Sequence, residues 1–342
     1  IEGALAGLKL SANVVVPSLF PFFVLSSLCV SMGYASLLGD AVAPVVRRVF
    51  HLPGEAAAPI VLGLLGGYPM GAKTVASLYE KGSLNQKQAQ YLLLFCNNSG
   101  PAFIFGVIGS CVYSSPEIGL AIYLIHMASA LFIGFLLRPK IVQRRITDPK
   151  AKNADSLEVM PFYQAFTNAV RDAGLSLLAI TAFVTFFNIL LALLEDLPLY
   201  GTMPVAVKVV LSGLLELSTG VTKLSGSGLP LALQLGFAAA IVSWGGFCVH
   251  FQTLSVTPGN LIPLSRYFLS KLCHGLLAFA LAFCWALVRY PEGALQTAAW
   301  PIETGSADWQ IFSLFFLLYI ALFLLAKIFI LITSRKTDAK RL

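Results

Sequence analysis

Two interrupted hydrophobic segments constrain this chain most, because the same pair occurs twice in the same order. The segments cover residues 62–75, 92–105, 210–225 and 240–253, and each is broken by Gly, Pro or polar residues. A helix that breaks at membrane depth frees backbone groups that lipid cannot satisfy, so such breaks persist where they are buried in protein or line a cavity. The pattern predicts a membrane protein whose breaks form a binding site.

Composition supports that prediction. Hydrophobic residues make up 57% of the chain and charged residues 11%, against about 25% charged residues in an ordinary soluble domain. This excludes a soluble protein. The 342 residues suffice for about eight or nine membrane elements of roughly 20 residues each. The net charge of +7 is typical of Lys and Arg in cytoplasmic loops, so we expect the lipid bilayer, and no nucleic acid, as a partner. The first residue is Ile1 rather than Met, which leaves room for a native segment before it.

The first half of the chain contains four predicted membrane elements. They are a span at 11–34, a split segment at 59–78, a broken span at 91–111 and an unbroken span at 118–137. Each half of the split segment has about ten residues and cannot cross a core of about 30 Å at 1.5 Å per residue. It therefore predicts a re-entrant hairpin, with a kinked full crossing as the alternative. The broken span is interrupted at residues 97–101, where Asn, Ser and Pro are typical of a new helix start.

The second half repeats this order. Its elements lie at 173–194, 205–224, 231–256 and 261–288, and a final span follows at 311–332. We predict an all-α polytopic membrane protein with two inverted-topology repeats, each a span, a re-entrant hairpin, a broken span and a span, plus a C-terminal span. The predicted divisions are 1–139 for the first repeat, 140–164 for a basic cytoplasmic linker, 165–290 for the second repeat, and 291–342 for an extracytoplasmic loop, the C-terminal transmembrane helix and a basic tail. Three crossings per repeat, an odd number, turn the second copy upside down.

Charge placement predicts the orientation. If the basic linker is cytoplasmic, Arg47, Arg48 and Lys81 also fall inside, while Glu117 and Glu195 fall outside. This distribution follows the positive-inside rule. The basic C-terminal tail then also lies in the cytoplasm.

The predicted binding site lies where the hairpin tips and helix breaks converge. In such repeats, half-helix N-termini near the bilayer midplane favour an anionic or strongly polar ligand. The predicted substrate-binding residues are Gly67, Tyr68, Pro69, Gly71 and Lys73 at the first hairpin; Asn97, Asn98, Ser99 and Gly100 at the first break; Glu216, Ser218, Thr219, Gly220, Thr222 and Lys223 at the second hairpin; and Trp244, Gly245, Gly246, His250 and Gln252 at the second break. The glycines are assigned to backbone geometry and close approach.

The charged candidates allow several interpretations. Lys73 and Lys223 either bind substrate carboxylates or extend to the membrane interface. Glu216 either pairs with Lys223, accepts a coupling proton or binds the substrate. Residues 97–99 either contact the substrate, coordinate Na⁺ through oxygen atoms or only cap helices. The coupling ion is therefore Na⁺ or H⁺, and no other cofactor is expected.

The aromatic candidates are equally open. Tyr68 and Trp244 either stack on an aromatic ligand or anchor at the interface. His250 either takes up a proton or stays neutral and buried. Arg266 and Lys271 are assigned to the inner end of the last repeat helix, outside the site.

Three motifs carry a family resemblance. Residues 17–22 (PSLFPF), 66–72 (GGYPMGA) and 97–101 (NNSGP) resemble the YlbJ family of sporulation integral membrane proteins, within the nucleoside-recognition or Gate group. The repeats of that group are similar to the core of concentrative nucleoside transporters. The resemblance implies a multi-pass protein of the bacterial cell membrane that transports a small molecule, and its sporulation members imply dipicolinate, an aromatic dicarboxylate, as cargo. It also implies a homodimer or homotrimer.

These features predict transport. The leading hypothesis is a secondary transporter for a small organic anion, such as a dipicolinate-like aromatic carboxylate, by alternating access around the hairpin tips and broken helices. The runner-up is a nucleoside transporter in which Asn97, Asn98 and Gln252 bind base or ribose edges. A third hypothesis is a non-transporting membrane scaffold in sporulation. An enzyme is not expected, because the sequence has no HExxH or GxSxG motif and no interpretable Ser/His/Asp set.

Overall fold

The described part of the chain is built from α-helices and contains no β-strand. The structure is a computed structural model that describes residues 1–32, 34–139 and 161–294. The helices are α1 (Glu2–Leu10), α2 (Val16–Ser31), α3 (Tyr34–Val49), α4 (Ala57–Leu65), α5 (Met70–Glu80), α6 (Gln86–Leu93), α7 (Pro101–Phe103), α8 (Pro116–Leu136), α9 (Phe162–Glu195), α10 (Pro198–Thr202), α11 (Val205–Leu215), α12 (Leu217–Ser225), α13 (Leu231–Trp244), α14 (Gly246–Ser255) and α15 (Leu264–Arg289). Most of the predicted basic linker and the predicted final span at 311–332 lie outside the described residues.

Five helical stretches in the described ranges are long and apolar enough to cross a membrane. They are Glu2–Leu28, Pro116–Leu136, Phe162–Glu195, Leu231–Ser255 and Leu264–Arg289. Three shorter apolar stretches accompany them: Gly54–Leu65, Pro101–Val112 and Val205–Leu215. The prediction of an all-α polytopic membrane protein is confirmed.

The long helices that open the two halves pack against each other. A π-helical turn, Ser11–Val15, joins α1 to α2, and both helices lie along α9. The approach is close at Gly7, where an added Cβ would lie 2.6 Å from the Cα of Thr185. Small residues permit this spacing between membrane helices. A second long pair, α13 and α15, packs with Gly236 against the ring of Phe279.

Two boundaries differ from the sequence prediction. The stretch between the predicted span at 11–34 and the first hairpin, to which no membrane element was assigned, is the helix α3, which buries Ala43 and Val46 and carries Arg47 and Arg48 in its last turn. This helix is amphipathic, so its sequence is too polar overall to predict a membrane span. The two arginines suit its last turn, because basic residues favour the C-terminal end of a helix. Helix α9 begins at Phe162 rather than near residue 173, because its first turns are mixed in polarity yet continue the helix.

Each half contains one short helical hairpin followed by one interrupted helix, in the predicted order. Helices α4 and α5 form the first hairpin, and α11 and α12 form the second. The first interruption separates α6 from α7, which continues as the π-helical stretch Ile104–Val112, and the second separates α13 from α14. The inverted relation of the halves and the re-entrant position of the hairpins in the membrane remain predictions.

Candidate functional site

A small cavity lies where the two hairpin tips meet. Its lining combines residues of the first tip (Gly66, Gly67, Tyr68), the first break (Ser99, Gly100), the second tip (Glu216, Leu217, Ser218) and α14 (Cys248, Val249, Gln252), with Val15, Leu19, Phe23, Ala102, Phe103, Ile180 and Val184 as apolar walls. Its free volume is about 40 Å³. A water molecule needs about 10–15 Å³ by this measure, so the cavity holds a few waters at most.

Glycine contacts fix the first hairpin to the first break. The main-chain oxygen of Cys96 lies between Gly63 on α4 and Gly71 on α5, where an added Cβ would be 1.6 Å and 2.3 Å away, respectively. At the tip, Gly67 has a φ of +77° and would place a Cβ 2.8 Å from the nitrogen of Gly100. Both the positive φ and the close approach require glycine at position 67. The hairpin and the break are therefore packed as one unit.

The polar residues of the first break are all buried and mostly paired. The Asn97 amide donates to Thr253 Oγ1 at 2.7 Å and accepts from the Ala72 N–H at 3.4 Å. The Asn98 amide donates to the Phe95 carbonyl at 2.7 Å. Ser99 is the exception, because its hydroxyl is buried in the cavity wall without a hydrogen-bond partner among the described residues. A solute entering the cavity could supply that partner.

A stacked pair of histidines, His126 and His274, contacts this break through His126. The Ser99 N–H donates to His126 Nε2 at 3.1 Å, and His126 Nδ1 lies 2.8 Å from Ser243 Oγ. The ring of His274 stacks on His126 at 4.9 Å, and its Nε2–H donates to the His126 carbonyl at 3.0 Å. Since Nε2 of His126 accepts, its proton lies on Nδ1 in the neutral ring. The pair links α8, α13 and α15 to the break.

Tyr68 connects the first tip to the second half. Its hydroxyl donates to the Val242 carbonyl at 3.2 Å. A Cβ added to Gly245 would lie 3.0 Å from the Tyr68 hydroxyl oxygen. The Tyr68 ring also lines the cavity. The tyrosine therefore spans from one hairpin tip to the second helix break rather than to a lipid interface.

Glu216 caps the second hairpin. Its carboxylate is buried and accepts from the Ser218 N–H at 3.0 Å and the Thr219 N–H at 2.6 Å, at the start of α12. An acidic group at a helix N-terminus satisfies free N–H groups and complements the helix dipole. Thr219 in turn donates to Asn188 Oδ1 on α9 at 2.9 Å. The carboxylate thus occupies the N-terminus that the sequence prediction left open for an anionic ligand.

The second tip and the second break are also in contact. Gly213 and Gly220 bring the arms of the hairpin together, since a Cβ on Gly220 would lie 2.2 Å from the Cα of Gly213. Gly246, with a φ of +72°, would place a Cβ 3.1 Å from the Leu217 nitrogen. Both hairpins therefore show the same two features: glycines between the arms and a tip packed on a helix break.

The two predicted lysines lie outside the cavity. Lys73 is exposed on α5. Lys223 pairs with Glu195 and lies 3.2 Å from Ser212 Oγ, so its carboxylate partner is Glu195 rather than Glu216. Both ends of this pair are partly exposed.

The second break contributes less polar surface to the cavity than predicted. Trp244 donates to the Leu214 carbonyl at 3.3 Å and stacks edge-on with His250, which lies 3.1 Å from the Tyr267 hydroxyl through Nδ1. Of the predicted site residues, the cavity lining includes Gly67, Tyr68, Ser99, Gly100, Glu216, Ser218 and Gln252. It does not include Pro69, Gly71, Lys73, Asn97, Asn98, Thr219, Gly220, Thr222, Lys223, Trp244, Gly245, Gly246 or His250.

Lys271, which the sequence prediction assigned outside the site, contacts the first break. It lies on α15, is fully buried, and donates to the main-chain oxygen of Asn97. Its ammonium is 3.5 Å from Asn98 Oδ1 and 5.7 Å from the centre of the Tyr68 ring. The sequence feature that could have drawn attention to Lys271 is a charged residue within an apolar helix, which in a membrane protein suggests a functional role by default. Among the described residues, no group of three or more His, Cys, Asp or Glu side chains could hold a metal ion.

Comparison with known proteins gives a family match within the first half of the chain. Residues 12–114 match the Gate family model, described as nucleoside recognition. These residues form a Gate segment. The chain is also 26% identical over 306 residues to the sporulation integral membrane protein YlbJ of Bacillus subtilis (strain 168), covering 81% of this chain and 75% of the relative. The predicted resemblance to the YlbJ family is confirmed.

A second relative matches a shorter stretch. The uncharacterized protein MJ0880 of Methanocaldococcus jannaschii is 28% identical over 141 residues, which cover 40% of this chain and 45% of the relative. No solved structure matches the chain significantly. The Gate segment includes the first hairpin and the first break, so the part of the cavity contributed by residues 66–103 lies within the matched family region.

Proposed function

We propose that this chain is a secondary transporter for a small polar solute, which binds in the cavity between the two hairpin tips. One observation carries the proposal: the two hairpin tips, the first break and helix α14, which follows the second break, line one cavity. A site formed at the interface of two repeats by broken helices is the arrangement that alternating-access transporters use. The Gate segment and the YlbJ likeness support a transporter-like membrane protein.

In the described conformation the cavity is small. A free volume of about 40 Å³ is too small for a nucleoside or an aromatic dicarboxylate, because ligand pockets usually enclose about 300–1,000 Å³. The solute enters when the two tips separate. Alternating access then consists of opening this cavity toward one side of the membrane and then the other.

The polar groups of the cavity favour an uncharged, hydroxyl-rich or amide-rich solute. In the described lining, Glu216 is the only Asp or Glu, and no Lys or Arg is present. Ser99 offers an unpartnered hydroxyl and Gln252 an amide. A neutral nucleoside has ribose hydroxyls and base edges to match these groups, whereas a dicarboxylate would face the Glu216 carboxylate. We therefore favour a nucleoside-like solute.

An organic anion is the second candidate, and one contact favours it. The Lys271 ammonium lies 5.7 Å from the centre of the Tyr68 ring, which lines the cavity. A dipicolinate-like aromatic carboxylate could stack on Tyr68 and pair with this ammonium. That arrangement requires Lys271 to release the Asn97 carbonyl.

The proposal includes an orientation and an assembly. The basic linker and the C-terminus lie in the cytoplasm, and the solute is the only partner besides the bilayer and a second or third copy of the chain. The positive charges near the predicted cytoplasmic ends support the orientation. A C-terminal green fluorescent protein fusion should fluoresce and a C-terminal alkaline phosphatase fusion should be inactive. The reverse pair of results would invert the topology.

Thermal unfolding of the detergent-purified protein tests the solute class. Uridine, adenosine, dipicolinate and succinate are added singly, and a ligand at 100 times its Kd should add about 2.7 kcal/mol of stability. We expect nucleoside stabilisation that Ser99→Ala weakens and the matched change Ser176→Ala, outside the cavity, leaves intact. Dipicolinate-only stabilisation would select the second candidate. Stabilisation by none of the four, together with no uptake into proteoliposomes, would favour the scaffold hypothesis.

A further inference from the structure

Lys271 is a fully buried cation without a carboxylate partner. No ion pair joins it to an Asp or Glu in the described part of the chain, where the ion pairs are Lys223–Glu195 and Arg289–Glu117. Burying a charge within a membrane protein is costly unless nearby groups compensate for the lost water. The groups that compensate here are oxygen atoms and a ring.

Those oxygens belong to the first helix break. The ammonium donates to the Asn97 carbonyl and lies 3.5 Å from Asn98 Oδ1, with the Tyr68 ring centre at 5.7 Å. The face of an aromatic ring attracts a cation within about 6 Å. All three partners lie in the Gate segment, while Lys271 lies on α15 in the second half.

The neighbouring contacts orient these oxygens toward the ammonium. Asn98 donates its amide N–H to the Phe95 carbonyl, which leaves Oδ1 on the side of Lys271. Because the backbone is non-helical between α6 and α7, the Asn97 carbonyl has no helical N–H to accept from. The break follows the C-terminal end of α6, which carries the negative end of a helix dipole.

Carbonyl oxygens of this kind, at a broken helix and a half-helix C-terminus, coordinate the coupling Na⁺ in secondary transporters. Here a unit positive charge already occupies them. We propose that the Lys271 ammonium is a tethered cation that fills a Na⁺-type site at the first break, so that the chain binds no Na⁺ there. The occupancy of the site does not depend on the proposed function. Transport without Na⁺ coupling at this site, which follows from that occupancy, does rest on the proposed function.

Removing the ammonium should turn the break into a Na⁺ site. In Lys271→Ala, the Asn97 and Asn98 oxygens lose their cation and a space opens beside them. Thermal unfolding is measured in NaCl and in choline chloride of equal ionic strength, because choline is too large to enter. We expect equal transition temperatures for the wild-type protein in the two salts. For Lys271→Ala we expect a lower transition temperature in choline and a saturable rise as Na⁺ is added.

Two variants sharpen this test. Lys73→Ala removes an exposed lysine and should show no difference between the salts. The double variant with Lys271→Ala and Asn98→Ala lacks one of the oxygens, so it should bind Na⁺ more weakly and need more of it for half of the rise. If Lys271→Ala does not fold, Lys271→Met, which keeps much of the side-chain volume, takes its place.

The proposal is overturned by either of two results. One is a folded Lys271 variant whose stability does not respond to Na⁺. The other is a wild-type protein that Na⁺ stabilises and that loses this response in Asn98→Ala, which would show a separate bound ion. No solute is added in these measurements, so a failure of the proposed transport leaves their outcome unchanged.

Discussion

Adding one methyl group at Gly63 should separate the first hairpin from the first break. In the structure, a Cβ at this position would lie 1.6 Å from the Cys96 oxygen, whereas ordinary contact begins at 3.4 Å. The hairpin or the break must therefore move by about 3.4 − 1.6 = 1.8 Å. The obstructing atom is part of the main chain and cannot rotate away. Overpacking costs about 1–3 kcal/mol and occasionally more, and we expect Gly63→Ala to reach the upper end of that range.

The matched control is Gly174→Ala. Gly174 also lies within a helix, α9, but an added Cβ there would meet nothing within 4 Å. Because alanine is favoured over glycine in a helix by about 0.5–1 kcal/mol, this change should stabilise the protein slightly. Thermal unfolding followed by circular dichroism compares the two variants. Equal shifts for Gly63→Ala and Gly174→Ala would refute the packing of Cys96 between the hairpin arms.

Three further predictions concern polar contacts made by the two hairpins. Glu216→Gln keeps one oxygen for the N–H groups of α12 and should lower the unfolding free energy by about 1–2 kcal/mol. Glu216→Ala leaves both N–H groups unsatisfied and should lower it by about 2–4 kcal/mol. Equal thermal stability of the two variants would contradict the capping role. Tyr68→Phe removes the bond to the Val242 carbonyl and should destabilise by about 0.5–1.5 kcal/mol, an effect that an interfacial tyrosine would not show. A double-mutant cycle with Lys223→Ala and Glu195→Ala, a partly exposed pair, should give a coupling of about 0–1 kcal/mol; a much larger value would mean that the pair is desolvated.

Local sequence chemistry was sufficient to predict the elements of the site. Long apolar runs predict the spans, because the bilayer sets their length. The glycines and proline at 66–71 predict the first tip, and the residues at 97–101 predict the first break, because these residue types end helices or start them. The structure has both features at those positions. Helix α3 was missed because an amphipathic helix on the protein surface is not uniformly apolar.

Side-chain direction could not be predicted in the same way. In α5, Gly71, Ala72, Val75 and Ala76 form the buried face. Lys73 lies two residues after Gly71, about 200° around the helix, and therefore points away from the site. Lys271 was excluded because it was assigned to the inner end of the last repeat helix. Only the packing of α15 against the first break shows that this lysine is buried.

The contacts around the cavity fall into two classes, and their difference indicates where the protein opens. Each break packs on its own hairpin through glycine and main-chain atoms, as Cys96 does between Gly63 and Gly71. The two hairpin–break units, in contrast, are joined to each other by single hydrogen bonds such as those from Tyr68 to the Val242 carbonyl and from Asn97 to Thr253. Parting close-packed backbone leaves a void, whereas water or a solute can replace a hydrogen bond at a net cost of about 0.5–1.5 kcal/mol each. We therefore expect each hairpin to move together with its own break, and the cavity to open between the two hairpin–break units, while α1 stays close-packed on α9 at Gly7.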